Sequence, residues 1–386
     1  MPFARGRSAA IAALTALCIA LTTAAAPARA ERPGQDQRLQ RLLEALVRQA
    51  GGPPGAVAVF RIDGRTVVVR AGDGDVRTGR PPGIDDHMRI ASAAKAFSGA
   101  VALALVSCGR LSLDDTIAER LPQLPARWGK VTLRQLLQHT SGLPDYSRAP
   151  AFGAILMKDP HHRFDSRRLL DFVRNKPLEF TPGTRYAYSN SDNIAVALMA
   201  EAVTHQRYET LLDQLVYDPL RLDRTSLPSG FTLPLPYLHG YAHTPTGLED
   251  VSTLFGASGS WASGGVVSTP RDLNTFIRAY AGGSLVAPWV RRQQLTFVDG
   301  SSEPPGPGRN QAGLAIFRYT TRCGVVYGHT GNTPGYTQFA AGTHDGRRAL
   351  TFSVNAQITP TSAPDVFTRM RAVQEDFVCA LLHGEA

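Results

Sequence analysis

Among the four lysines of a 386-residue chain, Lys95 stands three places after Ser92 in "RIASAAKAFSGAVALALVSCGRL", residues 89–111. A serine hydroxyl is a poor nucleophile until a nearby base takes its proton. Lysine can be that base only when burial or neighbouring positive potential lowers its pKa. An apolar helix starting here would place both side chains one turn apart on one face. Its N-terminal N–H groups would point at an oxyanion formed beside the serine. That is acyl-transfer chemistry. The same residues also fit a helix cap followed by a solvated lysine, and the pair alone does not choose between them.

Two other stretches bear on that choice. "YAYSNSDN" sets Tyr188 and Asn190 on a loop just before an apolar helix, and "VYGHTGNTPGY" sets His329, Thr330 and Gly331 at the end of a strand. Singly they read as a core aromatic and a satisfied strand histidine. His161-His162 read as loop histidines without a third metal ligand at a usable spacing.

The elements that must position these residues fall into three stretches. "QRLQRLLEALVRQA", residues 37–50, has helical spacing, and "GAVAVFRIDG" with "RTVVVRAGDG" predicts an antiparallel hairpin. From Ser92 to about residue 280 the pattern is mainly helical, as in "VTLRQLLQH", "SRRLLDFVRN", "DNIAVALMAEAVTH" and "RDLNTFIRAYAG". Residues 299–311, "DGSSEPPGPGRNQ", read as a loop or linker. Strands return in "AGLAIFRY", "GVVYGHT", "YTQFAAGTH" and "ALTFSVNA", and "PDVFTRMRAVQEDFVCALLH" closes the chain as a helix. The expected fold is α+β: one antiparallel sheet built from both chain ends and flanked by terminal helices, with a helical insertion. The expected divisions are 1–30, 31–91, 92–304 and 305–386.

Ser-x-x-Lys, Tyr-x-Asn and His-Thr-Gly, in this order and at these separations, resemble the penicillin-recognising serine hydrolases. "CGRLSLDDTIAERLP", "VTLRQLLQHTSGLPDY", "FTPGTRYAYSNSDN" and "LVYDPLRLDRTSL" extend the resemblance over most of the chain, towards class C β-lactamases, secreted D-alanyl-D-alanine carboxypeptidases and related esterases. It implies the β-lactamase/transpeptidase-like fold and a role for each residue. Ser92 would form an acyl-enzyme and Lys95 would accept its proton. Tyr188, held by Lys95 and with its pKa lowered by cations, would relay the proton to the leaving nitrogen. Asn190 would bind the substrate amide, and the strand His329–Gly331 would take the substrate as an added strand. The N–H groups of Ser92 and Asn332 would form the oxyanion hole, and Trp261 would contact substrate. No cofactor is implied. The first expectation is a carboxypeptidase acting on peptidoglycan stem peptides and acylated by β-lactams. A class C-like β-lactamase, an esterase and a penicillin-binding sensor are the alternatives.

One departure concerns the substrate's terminal carboxylate. Carboxypeptidases of this branch hold it with a cation on the strand before His-Thr-Gly, where "GLAIFRYTTRCG" places Phe317 at the expected position and Arg318 one place later. A slip of one residue turns a strand side chain to the other face. Arg318 and Arg322 are the candidates. Asn332 stands where a hydroxyl residue is common.

Residues 1–30 run from a basic start through an apolar stretch to Ala28-Arg29-Ala30, the pattern of an export signal cut after Ala30. The expected product is secreted, monomeric and without a membrane anchor. Removing that segment takes away three arginines and no acid, leaving +6 of the formal +9. The excess is scattered arginine with no nucleic-acid signature, so nucleic acid is not an expected partner. Of the remaining cysteines, Cys323 and Cys379 are expected to pair, leaving Cys108 as a buried thiol. Three unpaired core cysteines are the alternative.

Overall fold

The computed structural model describes residues 33–386; the expected export segment and its cleavage point lie outside them. The first strands are β1 (Gly55–Ile62), β2 (Arg65–Gly72) and β3 (Met88–Arg89). β4 (Tyr241–Thr244), β5 (Gly247–Asp250) and β6 (Val267–Ser268) are short pieces within the helical region. β7 (Val298–Asp299), β8 (Arg309–Ala312), β9 (Phe317–Thr321), β10 (Gly324–Thr333), β11 (Tyr336–Gly342) and β12 (Arg348–Val354) follow. Eight of them form one antiparallel sheet in the order β2-β1-β12-β11-β10-β9-β8-β7, so the two ends of the chain meet where β1 pairs with β12, Val59 opposite Thr351. This is the α+β fold expected from the sequence.

Both faces of the sheet are covered, which is why β1 reads as a nearly continuous apolar run and not as an alternation. On one face the helices Pro33–Val47 and Pro364–His383 contribute Leu39, Leu43 and Phe377, and the Phe377 ring lies 5.4 Å from that of Phe60. A second core surrounds the helix Ala94–Ser107, which is buried almost all the way round. Close packing there demands a glycine: a Cβ on Gly99 would lie 2.2 Å from Ala315 Cβ and 2.7 Å from Tyr280 Oη.

Four local expectations change. "AGLAIFRY" is not one strand: Ala315 has a φ of 53°, Gly313 N donates to Ile316 O, and this corner separates β8 from β9. Residues 299–311, read as a linker, supply the end of β7 and most of β8. "SRRLLDFVRN" forms a 3-10 helix, Ser166–Val173. Cys108 is exposed, not buried, because the helix stops at Ser107 and the chain turns away at Gly109, φ 73°. The disulfide joins Cys323 to Cys379, with Cα atoms 5.2 Å apart, and ties the β9–β10 turn to the last helix.

Candidate active site

Ser92 lies in a three-residue 3-10 turn, Ala91–Ala93, leading into the helix Ala94–Ser107. The preceding Ala91 holds a φ of 47°, a conformation costing a non-glycine residue about 1–3 kcal/mol and typical of places where a side chain must be aimed. β10 passes directly against this turn: a Cβ on Gly331 would fall 2.2 Å from Ile90 O and 3.1 Å from Ala93 N. Only glycine lets the strand and the nucleophile's backbone come this close.

Lys95 is wholly buried. Its Nζ donates to Ser92 Oγ at 3.2 Å, Asn190 Oδ1 at 2.7 Å and Ser263 O at 2.7 Å. Burial pushes its pKa down to about 7, against the pull of the Asp145, Glu303 and Asp192 carboxylates. Asn190, the first residue of the helix Asn190–Thr204, is held from its other side. Its Nδ2 donates to Asp145 Oδ2 and Ser147 Oγ, both at 3.0 Å, which fixes Oδ1 towards the lysine.

Tyr188 lies beside them, its ring centroid 4.9 Å from Lys95 Nζ, but Lys95 makes no hydrogen bond to its hydroxyl. Burial pushes the phenol well above its usual value, and nearby Glu303 and Asp145 add to the shift. Only the Ser92 hydroxyl opposes it, without reaching hydrogen-bond geometry. The implied lowering by cations is therefore replaced by a phenol that burial keeps protonated. Beneath it the His139 ring packs at 4.5 Å, and His139 Nδ1 and Asp192 Oδ2 are 2.7 Å apart. Burial holds that imidazole neutral, with its pKa near 3.

On β10, His329 is buried, with Nδ1 at 2.6 Å from Thr330 O and the Phe317 ring edge-on at 5.0 Å. Burial lowers its pKa to about 3, so it is neutral. Thr330 Oγ1 donates to Pro304 O at 2.7 Å, and Asn332 Nδ2 to Thr337 Oγ1 and Ile358 O. Ser92, Tyr188, Asn190 and Asn332 open onto one cleft of about 670 Å³.

Two of the expected substrate contacts lie elsewhere. Trp261 is buried, donating Nε1–H to Glu209 Oε1 at 2.9 Å with the Arg167 guanidinium over its ring, and does not line the cleft. Arg318 is opposite Gln311 on β8; its guanidinium bonds to Gln311 Oε1 and stacks on Phe297, so it too is outside the cleft. Arg322 is engaged by Glu375 and Asp376 of the last helix. Among the described residues no cluster could hold a metal, and His161 stacks on Phe231.

Sequence reasoning passed over the opposite wall. Residues 301–305, with Tyr186, Thr359 and Pro360, complete the cleft, and Tyr186 Oη and Thr330 Oγ1 pin that loop through Ser301 O and Pro304 O. Asp145 was also missed, although it orients Asn190. A proline-rich loop carries no periodic signal, whereas the acid in "GLPDY" lies inside a segment that did carry the resemblance.

A buried lysine bonded to a serine at the start of a buried helix, against the edge of a strand, is an arrangement that suits serine acyl transfer. The chain belongs to the β-lactamase family, whose model, described as "Beta-lactamase", matches residues 39–375; its members are serine hydrolases. It is 26% identical to a β-lactamase of Yersinia enterocolitica over 61% of this chain and 57% of that one. It is 32% identical to a D-aminopeptidase of Brucella anthropi over 50% of this chain and 36% of that one. It thus spans well under two thirds of either relative. The structure of a D-stereospecific amidohydrolase from a Streptomyces species superposes with a TM-score of 0.75 at 30% identity, over 87% of this chain and 98% of that one.

Proposed function

We propose that the protein hydrolyses amide bonds of D-alanyl-type substrates through an acyl-enzyme on Ser92, and that β-lactams acylate the same serine. The observation that carries this is Lys95, buried, near neutral pKa, 3.2 Å from Ser92 Oγ. A neutral amine has two N–H groups; Asn190 Oδ1 and Ser263 O accept both at 2.7 Å, leaving the lone pair for the Ser92 proton. Ser92 Oγ then bonds to the carbonyl carbon and Lys95 becomes the ammonium. As the C–N bond breaks, the Tyr188 phenol, kept neutral by burial, donates its proton to the leaving nitrogen and is recharged from Lys95. Water attacks the ester in the second half, its proton returns to Oγ, and the C–O bond breaks. The Ser92 and Asn332 N–H groups are the proposed oxyanion donors.

The D configuration rests on the relatives named D-aminopeptidase and D-stereospecific amidohydrolase. The finer reading, a D-alanyl-D-alanine carboxypeptidase on peptidoglycan, calls for a cation at the cleft, and neither Arg318 nor Arg322 lines it. Export, action on peptidoglycan and a monomeric state are proposed from the sequence alone. The test is intact mass against time with a penicillin and, separately, a D-alanyl-D-alanine peptide. A penicillin adduct on Ser92, absent in Ser92→Ala, is expected; D-alanine release would restore the carboxypeptidase reading. No adduct and no turnover would overturn the proposal.

A further inference from the structure

The cleft has an unexpected charge. Of the residues lining it, Glu303 alone carries a formal charge, and it stands on the wall facing Tyr188 and Asn190. Among the described residues its carboxylate accepts no hydrogen bond, and its side chain is 54% exposed. Tyr186, Tyr188 and Glu303 also line a neighbouring chamber of about 280 Å³, together with Asp145, Glu179, Arg148 and Ser189. Arg148 is the chamber's one cation; it lies 3.6 Å from Glu303 and 4.0 Å from Asp145, beyond hydrogen-bond distance of either, and its side chain is 68% exposed. Three carboxylates against one guanidinium leave the wall negative. Ser189 and Tyr188 also line the chamber, though their hydroxyl oxygens are buried and without a hydrogen-bond partner.

A terminal carboxylate entering this cleft meets like charge and no fixed cation. A primary ammonium meets the opposite: a carboxylate that accepts no hydrogen bond and whose one ionic partner among the described residues is the exposed Arg148. We infer that Glu303 selects acyl donors with a free amino group, so that the substrate is an amino-acid amide or a short peptide with an open amino terminus on the acyl side. The acyl side follows from place: Glu303 lines the same cleft as Asn190, which the family resemblance assigns to the substrate amide, and Arg148 links Glu303 to Asp145, the partner of Asn190. The inference rests on the Ser92 acyl-enzyme reading.

The test compares kcat/KM for D-alanine 4-nitroanilide and N-acetyl-D-alanine 4-nitroanilide, which share a leaving group and differ in the ammonium. The wild type should favour the free amine by about 10- to 100-fold, the worth of one charge-assisted hydrogen bond. Glu303→Gln should cut that ratio about tenfold or more, while Glu303→Asp restores part of it. Arg148→Ala, at an exposed position, should raise the ratio by removing the competing guanidinium, and this holds even if the Glu303 variants misfold. A wild type that prefers the acetylated anilide, or a ratio indifferent to both positions, overturns the inference. Neutral 4-nitrophenyl acetate separates the two claims. If it acylates Ser92 while neither anilide turns over, ammonium selection falls and the acyl-enzyme stands; if it fails to acylate, both fall.

Discussion

In the proposed mechanism the depressed pKa of Lys95 sets the pH at which Ser92 becomes reactive. At pH 7 a lysine at the ordinary 10.5 would be about 0.03% free amine, whereas at about 7 it is about half free, a roughly 1,500-fold gain in base. The assay is the second-order rate of Ser92 acylation by 4-nitrophenyl acetate between pH 5 and 9, a range in which the reagent does not titrate. The rate should climb about tenfold per pH unit below about 7 and level off above it. Asp145→Asn is the sharper perturbation. The Asp145 carboxylate is the largest charge holding the proton on Lys95, so removing it makes the proton easier to lose and moves the limb to lower pH. The amide keeps a carbonyl oxygen for Asn190 Nδ2, which limits the change in geometry. An inflection above pH 9, or a limb that Asp145→Asn moves upward or leaves in place, would refute Lys95 as the base.

The same residue should weaken the fold it serves. Its folded pKa lies below its unfolded one, so between about pH 7 and 10.5 the unfolded chain holds a proton that the folded chain lacks, and this group's contribution to stability rises with pH through that window. Below pH 7 the buried ammonium costs up to about 5 kcal/mol relative to the amine; Lys95→Met should therefore be the more stable protein at pH 6 by denaturant titration, with a smaller gap at pH 9, and should acylate at least about 100-fold more slowly. Gly331→Ala forces a methyl to 2.2 Å from Ile90 O, and should cost about 1–3 kcal/mol by thermal unfolding and slow acylation more than it lowers stability; unchanged acylation would mean that the strand does not set the nucleophile. Reducing the Cys323–Cys379 bridge, which closes 56 residues, should lower stability by about 4 kcal/mol, read as a lower unfolding midpoint.

What the sequence made legible follows from what leaves a pattern. The sheet was legible because β1, β10, β11 and β12 are short apolar runs bounded by turn residues, and because strands stood at both ends of the chain. Ser92, Lys95, Tyr188 and Asn190 were legible as types at fixed spacing, and the structure brings these four together. The corner at Ala315 was not, since Leu314 and Ile316 are both buried and look like strand residues on either side of a bend that a non-glycine φ creates. Nor was the exposure of Cys108, which turns on the helix ending one residue before it. Trp261 and Arg318 were misplaced for another reason: their partners, Glu209, Gln311 and Phe297, are brought to them only by tertiary packing.

The 301–305 loop is where chemistry and legibility part. It has no periodicity and no catalytic motif, yet Tyr186 and Thr330 fasten it across from the nucleophile, and it carries the cleft's one formal charge. The proposed acyl-transfer residues sit at the starts of two buried helices and beside a strand edge, where packing fixes their geometry. In the proposed reading substrate selection falls to the loop, which can change its side chains without disturbing Lys95 or Ser92. A family match over residues 39–375 is thus compatible with relatives named β-lactamase and D-aminopeptidase. Under the ammonium-selection proposal it is the acid at position 303, rather than the signature, that distinguishes among substrates.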